Sequence, residues 1–274
     1  MLSVNTNVGA MIALQNLNST EASLQKTQNA INTGLKVSSA KDNGAVYAIA
    51  QNMRGDVAAY ESVTDSLNRG ISSVDVALSA GQSISDLLVE MKQKALSASD
   101  TSLDTASRNA LNEDFKALRD QIATVVQNAV FNGFNLIDGS TTKITALAST
   151  DGSRRITVNA EKMKMSGSIV TVKTTSTIST ATKASTMVAT IQSSLTNVNA
   201  SLARLSSGAK KYSIQADFVQ KLSDALSAGI GNLVDTNMAQ ESAMLQSLQV
   251  KQQLGVQALS IANSAPSITL SLFR

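Results

Sequence analysis

Apolar residues recur at alternating spacings of three and four along most of this chain, the stripe of a helix that packs on other helices. Near the start the stripe runs Asn7, Ala10, Leu14, Leu17, Glu21, Leu24, Gln28, Ile31 and Leu35. After a break at Ser38-Ser39-Ala40-Lys41-Asp42-Asn43-Gly44, a second stripe passes through Val46, Ile49, Met53, Val57, Tyr60, Val63 and Leu67. It continues through Ile71, Val74, Leu78, Gly81, Ile84, Leu88 and Met91 to Ala95. The mean step is about 3.5 residues, which favours left-handed supercoiling. One helix over that span would be about 80 Å long, whereas a compact domain of this size is about 50 Å across. The pattern therefore predicts a rod.

A third helix is expected from the N-cap Asp104 to Asn132-Gly133, with Leu111, Phe115, Leu118, Ile122, Val125 and Ala129 along its seam. Met187, Ile191, Leu195, Val198, Leu202 and Leu205 mark a fourth from about residue 183. A further seam runs from Tyr212 through Ala216, Val219, Leu226, Ile230 and Leu233 into the C-terminal segment, and Gly208 either breaks this run or sits inside it. Residues 134–182 differ in kind. Lys143–Ala148 and Arg155–Asn159 read as strands flanking an Asp151-Gly152 turn, Ile169–Lys173 as a possible third strand, and 174–186 as a flexible connector rich in Thr, Ser and Ala. The fold class expected is mainly α: an elongated antiparallel helical bundle with a small β-hairpin insert, its two terminal helices paired at one end.

Composition sharpens this picture. Residues 1–40 hold only Glu21, Lys26 and Lys36 as charges, and 229–274 only Asp235, Glu241, Lys251 and Arg274, about half the density of the whole chain at 16%. A solvated helix normally shows a charged outer face, so both ends read as built to be covered on several sides, by other copies of the chain. A single proline in 274 residues permits very long helices. The absence of Cys and His removes most metal, haem and iron–sulfur sites and the Ser-His and Cys-His nucleophile pairs. No catalytic residue, cofactor or metal is expected. Gly229-x-Gly231 lacks the third glycine and the preceding strand of a phosphate loop. Glu113 and Asp114 point different ways on one helix and are expected to be solvated. A net charge of +3 with 3% aromatics argues against nucleic acid. No apolar run is long enough for a membrane span, and the first residues lack the basic and apolar regions of a cleaved signal.

Four blocks resemble bacterial flagellins. They are Ile31-Asn32-Thr33-Gly34-Leu35-Lys36-Val37-Ser38-Ser39-Ala40-Lys41-Asp42-Asn43-Gly44-Ala45; Asn68-Arg69-Gly70-Ile71-Ser72 onward to Ala98; Phe131-Asn132-Gly133-Phe134-Asn135-Leu136-Ile137-Asp138-Gly139; and Gln252-Gln253 through Ala262-Asn263 and Pro266 to Leu270-Ser271-Leu272 and Arg274. They stand in the family's order at both ends of the chain. The resemblance implies a subunit that self-assembles into the extracellular flagellar filament for motility. It implies partners in the export apparatus, a secretion chaperone and the hook-associated junction and cap proteins. In flagellins the end segments are disordered in the free monomer and pair as coaxial helices in the inner tube of the filament. On that basis 1–43 and 229–274 are assigned to the inner-tube domain, 44–133 and 183–228 to the surrounding rod domain, and 134–182 to a small basic insert. The expected assembly interface comprises Leu14, Leu17, Leu24, Ile31, Leu35, Val234, Met238, Leu245, Leu248, Leu259, Leu270 and Leu272. One end stripe offers too few leucines to offset the ordering of some 35 residues, so folding of the ends is expected to be coupled to assembly.

Two features depart from a plain filament subunit. Residues 140–183 carry a net charge of +5, and Arg154, Arg155, Lys162 and Lys164 form a possible exposed basic patch suited to acidic polysaccharide or membrane surfaces. The Ser/Thr content of 166–186 permits O-glycosylation. The receptor-activating helix of many flagellins reads L-Q-R-M-R-E-L-A, and here Glu90 and Lys94 replace an Arg and a Leu. Weak activation of the innate flagellin receptor is expected, and a reporter-cell response equal to that of an activating flagellin overturns it. The alternatives are a hook–filament junction protein, which shares similar ends, and a surface adhesin that binds glycans through the basic insert.

Overall fold

The computed structural model describes residues 6–271, the side chains of 265–271 excepted. In chain order the elements are α1 (Val8–Thr33), α2 (Gly44–Ala98), α3 (Thr105–Asn128), β1 (Val130–Phe131), β2 (Phe134–Asn135), β3 (Lys143–Leu147), β4 (Arg155–Asn159), α4 (Ala181–Val234) and α5 (Met238–Ser271). The chain is mainly helical with a small β insert. It divides into two compact units: residues 1–55 with 225–274, and residues 56–224.

In the second unit α2, α3 and α4 pack around one apolar core. The largest fully buried side chains include Tyr212, Phe115, Leu67, Ile84, Leu88 and Met91. Contacts of Gly70 with Tyr212, Gly81 with Leu202 and Lys92 with Gln192 pair α2 and α4 antiparallel. The expected seams lie on the covered faces of all three helices, from Val57 to Ala95, Leu111 to Ala129 and Met187 to Val219. Ile49, in the first unit, is the exception: it is exposed and Ala50 is buried in its place. Gly208 lies inside α4, where β4 comes so close that an added Cβ would sit 2.6 Å from Val158 Cγ1.

Asp104 caps α3 as expected, accepting from the amides of Ala106 and Ser107. The helix ends at Asn128, earlier than the Asn132-Gly133 expected from the sequence. Val130–Phe131 leave it to pair with Phe134–Asn135, and Asn132 (φ 48°) and Gly133 (φ 81°) form the two-residue turn. Positive φ at both central residues is what a tight hairpin needs, and Asn-Gly supplies it at little steric cost. Asn135 then anchors the hairpin: its Nδ2 donates to the Val126 carbonyl at 2.7 Å, and its Oδ1 accepts from the amides of Ile137 and Asp138.

The β3–β4 hairpin has the expected strands, with Lys143 opposite Asn159 and Leu147 opposite Arg155. Ala146 and Val158 face the core. Ile169–Lys173 is not a strand. The carbonyls of Val170 and Val172 accept from the nearby amides of Gly167 and Ser166, the Thr171 amide donates to Ser194 Oγ of α4, and Val170 and Val172 are buried. The stretch before α4 is likewise fastened, with the Ile178 amide donating to the buried Asn112 Oδ1 and Arg119 donating to the Ser176 carbonyl.

Candidate assembly surface

In the first unit α1 and α5 lie side by side and antiparallel, with backbones that approach within 8 Å. Asn7 starts the pairing: its Oδ1 caps α1 through the Ala10 amide, and its Nδ2 donates to the Ala262 carbonyl at 2.6 Å. On α5 the covered positions are Glu241, Leu245, Leu248, Gln252, Gly255, Leu259 and Ala262, an unbroken alternation of four and three. Gly255 sits against Leu17, 3.2 Å from Cδ1 for an added Cβ, so a small residue lets the two backbones close. On α1 the covered path is Ala10, Ala13, Leu17, Thr20, Leu24, Thr27 and Ile31. This differs from the leucine-rich path expected, because Leu14, Glu21 and Gln28 are exposed. Small Ala and Thr side chains between Leu17, Leu24 and Ile31 let the two helices pack closely.

The core of this pair is thin. Among the described residues only Leu17, Leu24 and Ala30 on α1 and Leu248 on α5 are buried apolar residues. Large apolar side chains occupy the outside instead: Val8, Met11, Ile12 and Leu14 on α1, and Met238, Met244, Val250, Leu254, Val256 and Ile261 on α5. Ile261 is 70% exposed and Met11 63%. Four charged residues, Glu21, Lys26, Glu241 and Lys251, share the same two helices. Apart from Leu14 and Met238, the sequence reading missed these outer residues. Their signal was present: they are apolar at offsets the seam does not use.

The remaining expected interface residues are placed as follows. Ile31, Leu245 and Leu259 are half-buried within the pair. Leu35 and Val234 belong to a second small core with Val37, Val46, Tyr47 and Ala50. The side chain of Leu270 and the whole of Leu272 lie outside the described residues. The two connectors that end α1 and α4 are zipped by backbone hydrogen bonds, with the Lys36 amide donating to the Val234 carbonyl at 2.8 Å and the Thr236 amide to that of Gly34 at 2.9 Å. One oxygen of Asp42 accepts from the amides and hydroxyls of both Ser38 and Ser39. Those bonds, the Ser38 hydroxyl first, hold its carboxyl below the ordinary value.

In the insert Arg154, Arg155, Lys162 and Lys164 are all exposed, and none forms an ion pair among the described residues. Glu161 is taken by Arg204 in a two-pronged pair at 2.7 Å. On α2, Glu90 is exposed and Lys94 pairs with Asp114 at 2.6 Å; Lys116 pairs with Glu113. Among the described residues no group of acidic side chains could hold a metal, and no helix is long and apolar enough to cross a membrane.

Residues 4–142 match the bacterial flagellin N-terminal helical region and residues 188–273 the bacterial flagellin C-terminal helical region. The chain belongs to the bacterial flagellin family. Flagellin FljK of Caulobacter vibrioides is 56% identical over 99% of this chain and 98% of its own length. The flagellin of Brucella melitensis is 38% identical over the full length of both. The crystal structure of Bacillus cereus flagellin shares the fold, with a TM-score of 0.50 at 20% identity over 55% of this chain and 86% of that one. This flagellin is therefore a structural protein, not an enzyme: a subunit that self-assembles into the extracellular flagellar filament.

Proposed function

We propose that the outer faces of α1 and α5 are the surfaces through which neighbouring subunits of the filament cover one another. The observation that carries this reading is the pair's inverted distribution of apolar side chains, with more of them outside than inside. Each Val, Leu or Ile that leaves water contributes about 1.5–3 kcal/mol, and the pair's own thin core leaves most of that to be gained from neighbours. In this division Leu14 and Met238 touch neighbours. Leu17, Leu24, Ile31, Leu245, Leu248 and Leu259 shape the pair that presents the face, and Leu35 and Val234 hold the connectors. Leu270 and Leu272 keep the contact role that the resemblance gives them. Residues 1–43 and 229–274 then form the inner-tube domain, and 44–133 with 183–228 the layer around it.

The test is to place two charges on the outer face of α5, Leu254→Glu with Ile261→Glu. The double variant is expected to keep its helical circular-dichroism signal and to form no filaments by electron microscopy, even with filament seeds. Filaments of normal number and length overturn the reading. Secretion through the flagellar export apparatus, with a chaperone and with junction and cap proteins as neighbours, completes the assignment; it is supported by the family alone. A second reading has a specific support: four exposed basic residues of the insert have no ionic partner among the described residues, which suits an acidic polysaccharide. Binding of such a polymer that survives removal of both terminal helices supports it, and loss of binding with them overturns it.

A further inference from the structure

The chain has no Cys, His or Trp, so the methionine thioether is its most readily oxidised side chain. The described methionines fall into two classes. In the second unit Met91, Met163 and Met165 are buried and Met187 is half-buried, and in the first unit Met53 on α2 is half-buried. Every exposed one lies on the outer face of the helix pair: Met11 at 63% on α1, and Met238 at 45% and Met244 at 46% on α5. From this we infer that Met11, Met238 and Met244 are oxidation sites through which a hydroperoxide controls whether a subunit can join the filament.

The chemistry is a two-electron oxygen transfer. The thioether sulfur attacks one peroxide oxygen, an S–O bond forms as the O–O bond breaks, and the departing hydroxide takes up a proton to leave as water. The sulfoxide replaces a flexible apolar group with a strong hydrogen-bond acceptor. Where a neighbouring subunit's apolar side chains cover that oxygen and exclude water, it loses its hydrogen bond, so the modified subunit is disfavoured in the polymer. In the assembled state the same covering shields the sulfur. The device therefore acts on free subunits and spares finished filament. This inference rests on the proposal that the outer faces of α1 and α5 are buried between subunits.

The experiment treats the full-length subunit and preformed filaments with hydrogen peroxide, and reads sulfoxide by peptide mass and assembly by sedimentation. In free subunits Met11, Met238 and Met244 are expected to oxidise ahead of Met91, Met163 and Met165. The concentration needed for assembly should rise by about tenfold or more, the effect of one unsatisfied buried acceptor. Reduction by methionine sulfoxide reductases of both stereospecificities, with dithiothreitol as electron donor, should restore it. The triple variant Met11→Leu, Met238→Leu and Met244→Leu should assemble before and after peroxide alike. If that variant loses assembly after peroxide as the unmodified chain does, or if full oxidation of the three leaves assembly unchanged, the redox inference fails alone. If the three methionines oxidise as fast in filaments as in free subunits, the buried-face proposal fails and takes the inference with it.

Discussion

Asp42 shows how a single exposed carboxylate can shape a connector in a region nearly free of charge. Its four donors come from two adjacent serines, so the bonds fold residues 38–42 back on themselves just before α2 begins. Asn43 then caps that helix through the Val46 amide. The folded-state value of Asp42 lies below the ordinary 3.8. Its contribution is therefore complete above the unfolded value and is lost as the pH falls through the lower folded one. The midpoint of the Asp42 carboxyl carbon resonance is expected below 3.8, and Ser38→Ala should move it upward because the Ser38 hydroxyl is the leading cause. A midpoint that stays put in that variant contradicts the assignment. The same logic of local satisfaction explains the Phe131–Gly139 block: Asn132-Gly133 makes the turn, Asn135 ties it to the end of α3, and Asp138 accepts from the Ser140 amide.

At the scale of elements, the seams of α2, α3 and α4 were legible because each of these helices buries a long, continuous apolar face, even though Val89 and Leu96 on α2 and Ile214 and Phe218 on α4 are exposed. The period of the sequence then has one reading. On α1 it has two, since Val8, Met11, Ile12 and Leu14 are apolar outside the seam. The expected path would cover Glu21 and Gln28 along with Leu14, and the structure takes the one with Ala13, Thr20 and Thr27 instead. The β1–β2 hairpin was readable from Asn-Gly but was absorbed into the end of a helix. The run at Ile169–Lys173 resembled a strand because its β-branched residues Ile169, Val170 and Val172 are buried, but its hydrogen-bond partners are the amides of Ser166 and Gly167 and the Ser194 hydroxyl on α4 rather than a neighbouring strand. Gly208 was read as a break or a tolerated cost; the structure shows a third reason, the approach of Val158. Gly208→Ala gains about 1 kcal/mol of helix propensity and loses about 1–3 kcal/mol to overpacking. A net loss of stability is expected in chemical denaturation. In a double-mutant cycle with Val158→Ala the two changes should couple favourably by about 1 kcal/mol or more, because the smaller side chain makes room for the new methyl. Additive effects rule out this contact as the reason for the glycine.

For the whole chain, the two units differ in what they bury. Residues 56–224 enclose Phe115, Ile122, Ile191 and Tyr212 completely, with three helices and a hairpin contributing to one core. Among its described residues the pair α1–α5 encloses four apolar ones and turns ten large ones outward. The charge count of the two ends foretold this surface, but not which side chains compose it, since charge depletion marks a helix and not a face. Stability and assembly should then separate. Removing residues 1–33 and 238–274 takes away α1 and α5 and leaves the larger core intact. The truncated chain is expected to keep a cooperative thermal transition with a midpoint within about 5 °C of the full chain, since the deleted pair adds little burial of its own. It is also expected to form no filaments, with or without seeds, while the full chain grows from the same seeds. Sedimentation and electron microscopy read the second outcome and circular dichroism the first. Tubes of ordinary diameter grown from the truncated chain would show that subunits join without the terminal helices, and a collapsed transition would show that the larger core depends on them.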